Sequence, residues 1–178
     1  MKIFALLFAV MLGGCATSPV LNADSSAQSD RPLTVQRGDI GFRLPNAGWF
    51  VAEQRPFWAR AFIVERNTDV ALIVGLETGL PQEIAASKRL GLARQNRNLS
   101  VSLGAIEESG TDGVYLFRLY DLNQDGKPFH CVLHAFRRLT GERPQTATVT
   151  GQWFIDDDGR YTNQALDLLR SIEHLQNE

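Results

Sequence analysis

With two cysteines and three histidines in 178 residues, the chain has little material for thiol or imidazole chemistry. Cys15 closes an apolar leader, which leaves Cys131 as the one thiol of the folded part. No internal disulfide is therefore expected, even in an oxidising compartment. Long apolar runs are also missing. The longest leader run, Ile3 to Leu12, is too short for a permanent bilayer span, which needs about 20 residues. Charge of one sign is scarce: the formal net charge is −2, and removing residues 1–14 with Lys2 makes it −3. That balance gives no nucleic-acid footprint. No Gly-x-Ser-x-Gly elbow and no glycine-rich phosphate loop appears, so the sequence carries no trace of an enzyme and calls for no cofactor.

What is present begins with the leader, MKIFALLFAVMLGG. One cation, an apolar stretch and two small residues form a secretory signal. Leu12-Gly13-Gly14-Cys15 then resembles the bacterial lipobox, in which the cysteine becomes residue one and takes the diacylglycerol as a thioether. The resemblance implies lipidation at Cys15. Ala16 in the second mature position implies the outer membrane, with the domain facing the periplasm. Several acyl chains on one residue hold more firmly than a single reversible chain. Residues 1–14 are thus read as signal peptide and 15–32 as acylated cysteine and tether. The Ser-, Ala- and Asp-rich composition of the tether cannot bury enough apolar surface to order itself. It would span roughly 20–25 Å root-mean-square. Residues 33–178 form one domain, long enough for a core without staples.

Within that domain short apolar–polar alternations recur. Ile40, Phe42 and Leu44 fall on one face of a strand after a Gly38-Asp39 turn, which also accounts for the Arg37-Gly38-Asp39 tripeptide. Further strands are predicted at Trp49–Glu53, Ala59–Arg66, Val70–Glu77, Leu99–Glu107, Val114–Asp121, Phe129–Arg138 and Thr146–Ile155. The run Val70–Glu77 is apolar enough to be buried on both faces. Pro81 opens a helix to about Asn98, with Ala86, Leu90 and Ala93 as its apolar stripe. A last helix from about Tyr161 to Gln176 carries Ala165, Leu168, Leu169, Ile172 and Leu175 on one face. Antiparallel strands with segregated helices indicate the α+β class.

Several motifs invite chemistry. Asp121-Leu-Asn123-Gln-Asp125-Gly126 copies half a calcium loop, but Val132 stands where the bidentate glutamate belongs, so a hairpin turn is expected. Asp156-Asp157-Asp158 precedes a helix and is assigned to turn and cap. His130 and His134 share a strand face about 13 Å apart, too far to hold one zinc, and Cys131 faces away. No metal site is expected, and Cys131 is expected to be buried.

The remaining signal is a possible partner surface. Arg55, Phe57, Trp58 and Arg60 cluster about a turn, and aromatics and arginine are enriched at binding hot spots. The structural alternative is that Phe57 and Trp58 cover a sheet edge. Lys88, Arg89, Arg94 and Arg97 make the first helix cationic, either as a solvated face or for an anionic partner or lipid headgroups.

Phe42-Arg-Leu-Pro45-Asn-Ala-Gly-Trp49 resembles the opening of the PsbP-like fold, a group that includes DcrB-like envelope proteins. The order of elements over roughly residues 33–176 and the closing Leu169-Arg-Ser-Ile172 are similar too. The resemblance implies an α-β-α sandwich used for docking and assembly, and supplies no catalytic residues. The expectation is a non-enzymatic outer-membrane lipoprotein that binds or scaffolds an envelope protein. The alternative is a periplasmic small-ligand or lipid-binding lipoprotein.

Overall fold

A computed structural model describes residues 34–95, 102–103, 107–109, 113–141 and 144–175. Strands β1 (Thr34–Arg37) and β2 (Ile40–Arg43) form a two-residue hairpin. Gly38 makes its tight turn with φ of 62°, in the left-handed region where a side chain is strained. Then follow β3 (Trp49–Val51), β4 (Ala61–Glu65), β5 (Ala71–Thr78) and helix α1 (Pro81–Gln95). Two short strands, β6 (Ser102–Leu103) and β7 (Glu107–Ser109), lead to the long strands β8 (Val114–Leu122), β9 (Pro128–Leu139) and β10 (Gln145–Phe154). A 3-10 turn at Ile155–Asp157 feeds helix α2 (Asp158–Ser171), and β11 (Glu173–His174) closes the chain.

The main sheet runs β3-β4-β5-β10-β9-β8-β6, with β7 also on β8, and all its pairings are antiparallel. A small sheet, β1-β2-β11, sits apart. The fold is a single α+β domain with antiparallel sheets flanked by two helices, as the order of elements implied.

The two faces of the main sheet are finished differently. On one, α2 and the small sheet lie over Ala61, Ile63, Leu72, Val74, Cys131, Leu133, Ala147, Val149 and Trp153. Strand period carries Ala147, Val149 and Trp153 of β10 into this core. Two carboxylates at its margin are matched to donors. Asp158 Oδ1 accepts from Trp153 Nε1 at 2.9 Å and from Thr162 Oγ1 at 3.0 Å. The buried Glu65 accepts from Tyr161 Oη at 2.6 Å and Thr68 Oγ1 at 2.8 Å, and is ion-paired with Arg160.

On the other face, α1 packs on β8 and β9 through Ile84 and Ala85 against Phe117, Leu119 and Phe136. The predicted stripe is corrected here: Ala86 and Leu90 are exposed, and Ala93's side chain lies outside the described set. The apolar residues of α1 are not gathered on one side, so the contact with the sheet selected the face. It includes Lys88, whose ammonium stands over the Phe136 ring at 5.7 Å and pairs with Glu77.

Three further expectations change. The predicted Leu99–Glu107 strand is two short pieces within its described part. The last helix stops at Ser171, because Ile172 turns extended (ψ 129°) and Glu173 and His174 pair with Gly41 and Ile40 of β2. Leu175 then lies on Gly41, where a Cβ would stand 3.1 Å from its Cδ2. Finally, the aspartates before α2 make no side-chain cap bond; Asp158 serves Trp153 and Thr162 instead.

Candidate docking surfaces

The Arg55–Arg60 segment joins β3 to β4. Ala59 N–H donates to the Pro56 carbonyl at 2.9 Å, which closes a β-turn with Phe57 and Trp58 at its two corners. Pro56 and Ala59 are buried, so the turn is held at both feet. Arg55 folds its guanidinium back to the Ala59 carbonyl. Arg60 N–H donates to Val74 O at 2.8 Å, tying the far end to β5. The corners are left outside: Phe57 is 97% exposed and Trp58 54%. The alternative in which they cover a sheet edge is therefore set aside. Pinning the feet and leaving the aromatics outside keeps apolar surface in water, which is the mark of a contact site.

Arg60 reaches Asp39 of the β1–β2 turn at 3.9 Å. This places the aromatic turn beside the small sheet, on the α2 side. Lys88 and Arg89 belong to α1 on the opposite face, both half-buried. The two cationic groups named from the sequence thus sit on different layers. Arg94 lies in the last turn of α1, with its side chain outside the described set, and Arg97 lies outside the described residues altogether.

A second surface was not foreseen. Phe50, Val64, Ala71, Gln152, Val132 and Leu119 stand opposite one another in successive strands, on the face that carries α1. The helix seals the β8–β9 end of this row. No described element makes a comparable contact with the β3–β4 end, where Phe50 is 40% exposed. One pleat further, Phe154 is 67% exposed beside His130, its ring 6.0 Å away. Pairing order decides this row; an alternating strand read alone cannot show which of its neighbours is covered.

The sequence-derived chemistry candidates resolve as separate structural groups. Cys131 is buried, and burial, followed by the Asp158 charge, pushes its thiol up to about 12, so it stays protonated. His134 lies on the other face of β9, stacked on Phe117 at 4.8 Å and hydrogen-bonded to Thr150 at 3.1 Å. Burial, and then the nearby Lys88, lower it to about 4, so it is neutral at ordinary pH. His130 pairs with Asp121 at 3.3 Å. In the Asp121–Gly126 turn, Asn123 Oδ1 accepts from Asp125 N and Lys127 N at 3.0 and 2.9 Å, and Gly126 has φ of 75°. Asn123 Oδ1 is thus spent on making the hairpin, and Asp121 is paired with His130. Between α1 and the end of β5 lies a shallow cleft of about 220 Å³, crossed by the Lys88–Glu77 pair. That is below the roughly 300–1,000 Å³ of usual ligand pockets.

No family model and no curated protein matches the chain. Solved structures do resemble it. The cyanobacterial PsbP (CyanoP) of Synechocystis superposes with a TM-score of 0.55 at 12% identity, over 92% of this chain and 99% of its own. LpqN of Mycobacterium tuberculosis, described as involved in cell envelope biogenesis, gives 0.50 at 13% identity, over 83% and 92%. The Ran-binding protein Mog1p of Saccharomyces cerevisiae gives 0.50 at 15%, over 81% and 95%. Identities this low establish likeness of fold, and they support the PsbP-like domain. They carry no function across.

Proposed function

We propose that this chain is an outer-membrane lipoprotein, anchored through Cys15 and facing the periplasm, that acts without catalysis as a docking or assembly factor for an envelope protein. The observation that carries the docking role is the half-covered sheet face, where α1 seals one end of the row, Phe50 is exposed at the other and Phe154 is exposed one pleat away. Exposed aromatics around a rigid sheet suit a partner's apolar surface. The LpqN description is consistent with an envelope setting, and the Leu12–Cys15 pattern supports the anchor. Cys131 and His134 on opposite faces, the one protonated and the other enclosed, favour binding over nucleophilic chemistry. The shallowness of the α1 cleft weighs against the small-ligand alternative.

Cross-linking in intact cells, followed by purification and identification of what accompanies the chain, tests this. One dominant envelope protein is expected, lost in a Phe50→Asp/Phe154→Asp variant that melts like the wild type. Recovery of small molecules alone, with no protein above background, would reject the docking role.

A further inference from the structure

The Pro56–Ala59 turn has properties that a pocket-filling hot spot does not require. Its two aromatics occupy adjacent corners of one tight turn and are both exposed, so the apolar surface is concentrated on one narrow wedge of backbone. An arginine stands on each side, Arg55 and Arg60, and Arg60 keeps 45% of its side chain exposed. Trp and Phe with flanking arginines favour the interface between acyl chains and anionic headgroups. Glu53 lies in the same loop, and Arg60 already engages Asp39.

Position supplies the second line. The described chain begins at Thr34, and β1 runs about 10 Å from there to the Gly38-Asp39 turn. That turn touches Arg60. The chain leading from Cys15 therefore joins the domain one short strand away from the turn that Arg60 reaches. Eighteen residues separate Cys15 from Thr34, so the two stand no farther apart than about 65 Å, the full extension of such a chain. A lipid on Cys15 brings the wedge within reach of the bilayer in which that lipid sits.

We infer that the Phe57–Trp58 turn is a membrane-contact element, seated among the headgroups and outer acyl carbons of the bilayer that holds the lipid, with Arg55 and Arg60 at the phosphates. This rests on the lipid-anchor reading for its proximity and leaves the sheet face to the protein partner. Anchor and wedge together fix the orientation of the domain, where a tether alone would leave it free to tumble.

Trp58 provides the assay, because Trp49 and Trp153 are each only 2% exposed. The acylated full chain is reconstituted into phosphatidylethanolamine–phosphatidylglycerol vesicles with brominated acyl chains. Trp58 emission is expected to be quenched by the bromolipid and protected from acrylamide, and Trp58→Phe should abolish that quenching. Arg55→Gln and Arg60→Gln should each shift the inserted-to-free ratio about fivefold toward free. Unquenched, acrylamide-accessible Trp58 in an acylated protein would overturn the inference while leaving the anchor intact. Protection that requires a co-purifying protein and no bromolipid quenching would also overturn it, assigning the turn to that protein. If mass spectrometry finds no lipid on Cys15, the anchor reading fails separately. Quenching of that unacylated protein by the same vesicles then decides the turn, presence supporting it and absence overturning it.

Discussion

The two faces of the main sheet differ in how they end. The α2 face is closed: helix and small sheet cover it from β4 to β9, and its polar atoms at Glu65 and Asp158 are matched to donors. The α1 face is sealed over β8 and β9 and thins toward β3, where Phe50 meets solvent. A closed face stabilises the domain, whereas a half-covered face of the same sheet keeps apolar surface available for contact. Stability and the proposed docking are thus placed on opposite sides of one layer of strands.

This contrast can be broken from the closed side first. Trp153→Ala removes a buried indole and its bond to Asp158, and should cost about 3–5 kcal/mol in urea melts. Next in size is a pH effect on the α1 side. His134 holds about 4 when folded against an ordinary 6.5 when unfolded. Between those values the unfolded chain binds the extra proton, so stability is full above about 6.5 and falls as pH drops toward 4. The loss should be on the order of 2–3 kcal/mol. A His134→Leu variant with an unchanged slope across that window would show that other groups are responsible.

A smaller effect is expected at Glu65. Tyr161→Phe leaves its carboxylate one donor short and should cost about 1–2 kcal/mol, measured by thermal or urea unfolding. The smallest stability change belongs to the open side. Phe50→Ser and Phe154→Ser should each stay within about 0.5 kcal/mol of wild type. A larger loss would mean that these rings are structural and that the two faces are less different than proposed.

Legibility follows the same division. The Ile40, Phe42 and Leu44 alternation was readable, and all three are buried, because strand period alone assigns a face. The Gly38-Asp39 and Asn123–Gly126 turns were readable because glycine at positive φ and an Asn side chain carry their own geometry. The α1 stripe was misread, since a helix without a concentrated apolar side has its face chosen by what it meets. The end of α2 was misread because strand pairing with β2 competes with helix continuation, and that partner lies more than 130 residues away. The aromatic turn was half legible. Residue types marked it, but whether Phe57 and Trp58 pointed in or out depended on Pro56 and Ala59 being taken into the protein.

By itself, then, the sequence determined the kind and order of the main elements, the buried face of most strands and a small negative net charge. Each of these rests on local pattern, which needs no partner to be read. Tertiary structure decided which sheet face closed, which side of α1 turned inward and which aromatics stayed outside. Coverage is a relation between distant segments, and no single segment contains it.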